Sequence, residues 1–200
     1  VVQADMSKKS DVDNLVQETM DEFGTVDILA NVAVMYHGSS LLDLDEEGWD
    51  LLTDVNLKGY WLTCKAVAPI MQRNKKGSII NIASVTSHLP LSKVIAYSAS
   101  KAAVLSVTRF LAREWATKGV RVNSITPGFF PAEQNKKLLY NEDGTPSDRA
   151  TAIFGHTPMG RFGDPKELAG AAVYLASEKA ASFVTGSDIV VDGGFLSQTI

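Results

Sequence analysis

Two hydrophobic periods alternate along this chain. After Ser10-Asp11, a candidate N-cap with acid in the first turn, Val12, Leu15, Val16, Met20 and Phe23 recur at helical spacing until Gly24 stops the run. They predict an amphipathic helix packed on one face. Residues 26–34 are too short and too uniformly apolar for a surface helix, and predict a strand covered on both faces. Residues 1–5 read as a preceding buried strand, which makes the opening a strand–helix–strand unit. A long helical stretch is predicted from about Asp45 to Arg73. A strand over residues 78–82 follows, then a second long helix from Tyr97 to Thr117, closed by Gly119.

A further strand, from Val120 to Ile125, halts at Pro127-Gly128. About thirty residues of weak periodicity lead from there to Met159, and a loop of that length in a compact domain usually carries function. Asp164-Pro165-Lys166-Glu167 supplies an N-cap, a proline at the first helical position and a glutamate at the third, opening a helix through Ala176. A last strand, residues 187–191, ends in Asp192-Gly193-Gly194. Strands alternating with helices throughout imply an α/β fold with a doubly wound parallel sheet.

Two hundred residues, 45% of them hydrophobic and 21% charged, can bury a core as one domain over residues 1–200, and exclude a disordered or collagen-like chain. Nineteen basic residues against 23 acidic ones, scattered along the chain, give a net charge of −4 and no basic footprint for nucleic acid or an acidic membrane. No apolar run approaches the roughly 20 residues needed to span a bilayer, and no secretory signal opens the chain. Its one cysteine, Cys64, can form no internal disulfide, which fits the reducing cytoplasm.

In doubly wound sheets ligands bind beyond the carboxyl ends of the strands, so residues just after strands, or opening the next helices, are the first candidates for chemistry. Tyr97 and Lys101 are four apart and share a helix face. Ser84 directly follows the strand that ends at Ile82. Asn56 falls inside a predicted helix, where an asparagine usually has a local reason to stand. A phenol is a poor acid or base at neutral pH, but an ammonium beside it stabilises the phenolate and lowers its pKa. A serine hydroxyl next to that phenol can hold a carbonyl or alcohol oxygen, as proton transfer coupled to hydride transfer requires. The hydride itself must come from a cofactor, since no side chain supplies one. Each residue alone has an ordinary reading, as a part-buried ring, a solvated amine, a turn hydroxyl or a helix-bending amide. Their combination on alternating elements points to chemistry.

With Leu29-Ala30-Asn31-Val32-Ala33-Val34, Asn56-Leu57-Lys58-Gly59, Asn81-Ile82-Ala83-Ser84, Tyr97-Ser98-Ala99-Ser100-Lys101, Arg121-Val122-Asn123, Pro127-Gly128 and Thr185-Gly186, the chain resembles the short-chain dehydrogenase/reductases over its whole length. The step from Ser84 to Tyr97 is that family's spacing. The resemblance implies an NAD- or NADP-dependent oxidoreductase. In it Ser84 orients the substrate oxygen, Tyr97 is the general acid/base, Lys101 lowers the Tyr97 pKa and holds the nicotinamide ribose, and Asn56 anchors a water in a proton relay. It also implies that Asp5 and Met6 flank the adenine, that Asn31 and Ala33 line the cofactor cleft, and that the backbone after Pro127-Gly128, with Phe130, faces the carboxamide. No metal enters this scheme. Two departures stand out. Val32 and Val34 replace the family's usual asparagine and glycine, and the glycine-rich turn that receives pyrophosphate is absent, as though roughly two strand–helix units precede residue 1.

Residues 129–139 and 156–163 fall where this family builds its substrate lid, and look like those of sugar-acid reductases of the fructuronate or mannonate type. Gln134, Asn135 and His156 suit a polyhydroxylated small molecule, and Arg161 can pair with a carboxylate. A gluconate-type or polyol enzyme is the neighbouring reading. The alternative from another class is a catalytically inactive chain that acts only in oligomer assembly. Under both, the two long helices resemble the surfaces through which the family forms tetramers or dimers, so self-association is expected.

Overall fold

The computed structural model describes residues 1–132 and 135–199, the side chain of Lys137 excepted. Four strands, β1 (Ile28–Asn31), β2 (Gly77–Ile82), β3 (Val120–Pro127) and β4 (Asp188–Val191), lie in the order β1-β2-β3-β4, every neighbouring pair parallel. The helices are α1 (Lys9–Phe23), α2 (Glu46–Thr53), α3 (Gly59–Asn74), α4 (Ile95–Trp115), α5 (Lys136–Leu139), α6 (Asp148–His156), α7 (Ala169–Ala176) and α8 (Glu178–Ala181).

The period-2 alternation of the strands sends successive residues to opposite layers. Ile79, Val120 and Val122 meet one layer, where Cys64, Val67 and Met71 of α3 and Leu111 and Ala112 of α4 are buried, with Val16 of α1 packed against them. Ile80 and Ile125 face the other layer and bury Leu175 of α7 completely. Helices on both faces of a parallel sheet make the doubly wound fold the pattern predicted.

Three expectations change. Residues 1–5 form no strand. A strand needs a neighbour to take its backbone groups, and among the described residues none pairs with them; instead the Asp5 N–H bonds the Asp11 carboxylate at 3.0 Å and the Asp5 carboxylate takes the Ser7 N–H at 3.0 Å, turning the chain into α1. The helix from Asp45 to Arg73 is continuous but contains a π turn, Asp54–Lys58, with Asn56 at its centre. A π turn is an energetically poor insertion that persists where other contacts hold it. Finally, the segment read as a long loop carries α5 and α6, which close over a small core of their own: Leu139, Ala150, Ile153 and Phe162. Polar residues between those apolar positions hid the period.

Candidate active site

The carboxyl ends of β1, β2 and β3 are where the chemistry-bearing residues gather. The Ala83 N–H still bonds the Ile125 carbonyl at 2.8 Å, so the chain leaves the sheet only at Ser84. Ser84, 7% exposed, then caps the 3-10 turn Val85–Ser87 by accepting the Thr86 N–H at 3.2 Å. α4 opens two residues before Tyr97, and Lys101 follows one turn later on the same face. Ser84 and Tyr97 line a cavity of about 280 Å³ together with Pro127, Gly128, Phe130 and Asn135. The backbone of Gly128 runs so close to Asp192 that a β-carbon would come 2.7 Å from the Asp192 Cα, which fixes a glycine at this turn.

Lys101 is the largest side chain buried to the limit, at 1% exposed. Its Nζ donates to the Ile82 carbonyl at 2.7 Å and to the Tyr60 hydroxyl at 3.2 Å, and no carboxylate is its partner among the described residues. Burial without a counter-charge disfavours the ammonium and pushes the Lys101 pKa down to about 7. Burial also raises the Tyr97 phenol above its ordinary value; the neighbouring Ser84 hydroxyl pulls the other way, and Tyr36 adds a smaller rise. The Tyr36 ring meets the Tyr97 ring edge-on at 5.6 Å. A phenol lowered by its lysine is therefore not what this state holds. Desolvation outweighs the charge, because the Lys101 amine is bonded to Ile82 and Tyr60 and lies 5.9 Å from the Tyr97 ring centre. Tyr60, fully within the core beside Lys101, is a site residue the sequence reading missed. Its phenol is raised by burial first, then by the nearness of Tyr97 and Cys64.

Asn56, 0% exposed, uses both ends of its amide on one residue: Oδ1 accepts the Met35 N–H at 2.7 Å and Nδ2 donates to the Met35 carbonyl at 2.8 Å. It thereby fixes the segment that carries Val34 and Tyr36 onto the cavity wall. Nδ2 also reaches the Ser100 hydroxyl at 3.4 Å.

The remaining candidates divide. Asn31 is buried and its amide is taken up internally, donating to Asn81 Oδ1 at 2.9 Å and accepting from the Thr63 hydroxyl at 2.7 Å, so a cleft role is left to its backbone. Met6 lies against Gly59, where a β-carbon would stand 2.9 Å from the Met6 carbonyl oxygen. Asp5 is exposed; hydrogen bonds from Ser7, with Lys8 beside it, hold its carboxyl down at about 2. Ala33 is exposed, and none of Asp5, Met6, Asn31 and Ala33 lines the cavity of Ser84 and Tyr97. Asn135 lines that cavity while bracing its own loop, accepting the Ala132 N–H at 2.7 Å and donating to the Phe130 carbonyl at 3.0 Å. His156 stacks edge-on against Phe195 at 4.5 Å and lines a neighbouring cavity instead. Arg161 is not available to a ligand carboxylate: Nη1 and Nη2 each donate to the Glu167 carboxylate at 2.8 Å, a bidentate pair that the chain itself supplies. Gln134 lies outside the described residues.

The residues present suit the nicotinamide-ribose half of a dinucleotide. A lysine ammonium has three N–H donors, and only two are placed on protein acceptors among the described residues, so one remains for a hydroxylated ligand; the neighbouring cavity lined by Tyr97 is walled by Pro127, Gly128 and Phe130.

Comparison with known proteins agrees with this geometry. The family model described as enoyl-(acyl carrier protein) reductase, of the short-chain alcohol dehydrogenase type, matches residues 1–196. A 2-dehydro-3-deoxy-D-gluconate 5-dehydrogenase from Dickeya dadantii is 38% identical over 98% of this chain and 75% of its own length. Among solved structures, a putative D-mannonate oxidoreductase from Haemophilus influenzae with bound NAD superimposes with a TM-score of 0.92 at 34% identity, covering 98% of this chain and 76% of that one. A gluconate 5-dehydrogenase from Burkholderia cenocepacia J2315 in complex with NADP and tartrate gives a TM-score of 0.90 at 34% identity, over 98% of this chain and 74% of that one.

Proposed function

Since the chain belongs to the short-chain dehydrogenase/reductase family, an NAD(P)-dependent class of oxidoreductase, we propose that it interconverts a secondary alcohol and a ketone on a polar sugar acid, with NAD or NADP. The observation that carries this reading is that Ser84 and Tyr97 line one cavity of about 280 Å³, with the buried Lys101 amine behind them, 5.9 Å from the Tyr97 ring centre. That volume lies just below the roughly 300–1,000 Å³ usual for ligand sites, and suits a molecule of a few carbons better than a long acyl chain.

A nicotinamide held beside Tyr97 and Lys101 would supply the hydride chemistry at the substrate carbon. Ser84 holds the substrate oxygen by hydrogen bond and Tyr97 takes the proton from that oxygen in oxidation, returning it in reduction. Lys101 holds the ribose hydroxyls with its remaining N–H and, when charged, stabilises the Tyr97 phenolate. Asn56 is a positioning residue, keeping the backbone at Met35 in place so that Tyr36 stays against Tyr97. Pro127, Gly128 and Phe130 wall the side on which the carboxamide belongs. Self-association is part of the same reading, supported by Trp61 of α3 and Phe110 of α4, 46% and 60% exposed on the two long helices.

The test is a rate screen of the full-length protein with NAD and NADP against D-mannonate, D-gluconate and their keto forms. Turnover of sugar acids with either cofactor supports the assignment; no turnover of any sugar acid in a folded sample that turns over other ketones or alcohols overturns it.

A further inference from the structure

The cavity that holds Ser84 and Tyr97 is walled mainly by apolar residues, and the hydroxyls on it are those of Tyr36, Ser84, Thr86 and Tyr97. Among its described lining residues one side chain is charged: Arg149, in the first turn of α6. Arg149 is exposed and has no hydrogen-bond or ion-pair partner among the described residues, and it also lines the adjoining cavity of about 470 Å³ that contains His156 and Phe195. Three other polar side chains near it in the fold are engaged elsewhere. Arg161 is held bidentate by Glu167, Asn135 braces its own loop, and His156 packs on Phe195. Asp148, next to Arg149 in sequence, projects from a different side of the helix and does not neutralise it.

A guanidinium without a protein counter-charge on the rim of a largely apolar cavity is free to pair with an anion held there. Its planar fork matches the two oxygens of a carboxylate. We propose that Arg149 is the carboxylate-recognising residue of this site. Helix α6 reads the acid group of the substrate while Ser84 and Tyr97 hold the reacting oxygen. This inference rests on the sugar-acid reading above and goes further by assigning the charge selection to one residue that the sequence pattern left inside a loop.

The experiment compares six-carbon acids, D-gluconate and D-mannonate, with the uncharged polyols D-sorbitol and D-mannitol of the same length, in the full-length wild-type protein and in Arg149→Met, Arg149→Lys and Arg161→Met. The wild type is expected to favour the acids. Arg149→Met raises KM for the acids by about tenfold or more, the scale of one charge-assisted pair, with kcat little changed and polyol kinetics unmoved. Arg149→Lys keeps the charge without the fork and falls between, and Arg161→Met leaves the acid KM alone. Thermal melts confirm that each variant folds, and an acid KM restored in part by lysine separates charge recognition from a merely structural role. If the wild type favours acids and Arg149→Met keeps the same acid-to-polyol ratio of kcat/KM, the assignment to Arg149 is wrong and the sugar-acid reading stands. A wild type that favours the polyols overturns both.

Discussion

Replacing Lys101 by methionine keeps the length of the side chain and removes the buried amine, and its effect on stability follows from the linkage between burial and protonation. In the unfolded chain the amine has its ordinary pKa of 10.5; folded, it is pushed down to about 7. Between those values the unfolded state binds a proton that the folded state does not, so stability rises with pH across this window and the penalty is complete only below it. A difference of 10.5 − 7 corresponds to a full penalty of about 5 kcal/mol, of which roughly 2–3 kcal/mol is relieved between pH 6 and pH 9. The upper limit of the measurement is set by Cys64, whose thiol burial pushes from 9.0 to about 12, and by the raised Tyr60 phenol. Both lose stability only as pH climbs past their unfolded values, so pH 9 stays clear of most of it. Urea unfolding of wild type and Lys101→Met, followed by tryptophan fluorescence at pH 6 and pH 9 without cofactor, gives the quantity directly. Groups common to both proteins cancel in the comparison. The variant also leaves the Ile82 carbonyl without its donor, a loss of roughly 1–3 kcal/mol that does not depend on pH, so the slope and not the intercept is the test. The wild type should gain roughly 2–3 kcal/mol more than the variant over this range; equal gains would refute an uncompensated, desolvated Lys101.

Four further outcomes follow. Tyr97→Phe removes only the transferable proton and should abolish turnover while thermal unfolding stays near that of the wild type; retained turnover would contradict the acid/base role. Lys101→Met should also raise the pH at which alcohol oxidation becomes fast, because the charge that favours phenolate is gone, and an unshifted pH–rate profile would contradict that link. Asn56→Ala leaves the Met35 N–H and carbonyl unpaired, so a loss of about 1–3 kcal/mol together with a fall in kcat is expected, measured by denaturation and initial rates. Leu175→Ala opens a cavity against Ile80 and Ile125 on the face away from Lys101, and should cost about 2–5 kcal/mol in unfolding free energy while KM stays unchanged.

The sequence carried the sheet and the central constellation because both depend on near neighbours along the chain. Uniformly apolar residues such as Ile79 and Ile80 mark a strand covered on both faces, and the four-residue step from Tyr97 to Lys101 fixes a shared helix face. It failed where the outcome depends on a distant partner. Residues 1–5 have strand-like composition, but a strand is made by a neighbour, and the described chain places none beside them. That the amide of Asn31 is taken up by Asn81 and Thr63 is likewise visible only once those distant residues are brought against it. Arg161 was the more conspicuous cation, yet Glu167, six residues on, closes its fork, while Arg149 stood in a segment whose helix signal, Ser147 capping the Ala150 N–H, was legible but set among turn residues. The donor chemistry of an arginine is in the sequence; whether it is free is a property of the fold.

The two perturbed groups at the centre of the site are parts of one equilibrium. In this state the cavity favours a neutral phenol at Tyr97 and an amine at Lys101 that is half charged near neutral pH, so the pair is poised for acid/base work but not yet set for it. Whatever accepts the third N–H of Lys101 favours the ammonium over the amine, and the ammonium in turn favours phenolate. A hydroxylated ligand at Lys101 therefore raises the lysine and lowers the tyrosine in the same event. By reciprocity, such a ligand binds more tightly at a pH where the amine is already charged, and its binding near pH 7–8 takes up a proton at Lys101. Tyr60 belongs to this balance, because its hydroxyl accepts one of the two N–H groups the protein satisfies, and so helps hold the amine beneath Tyr97 rather than elsewhere in the core. The burial that makes Lys101 costly to the fold is what allows a single ligand contact to move a proton at Tyr97.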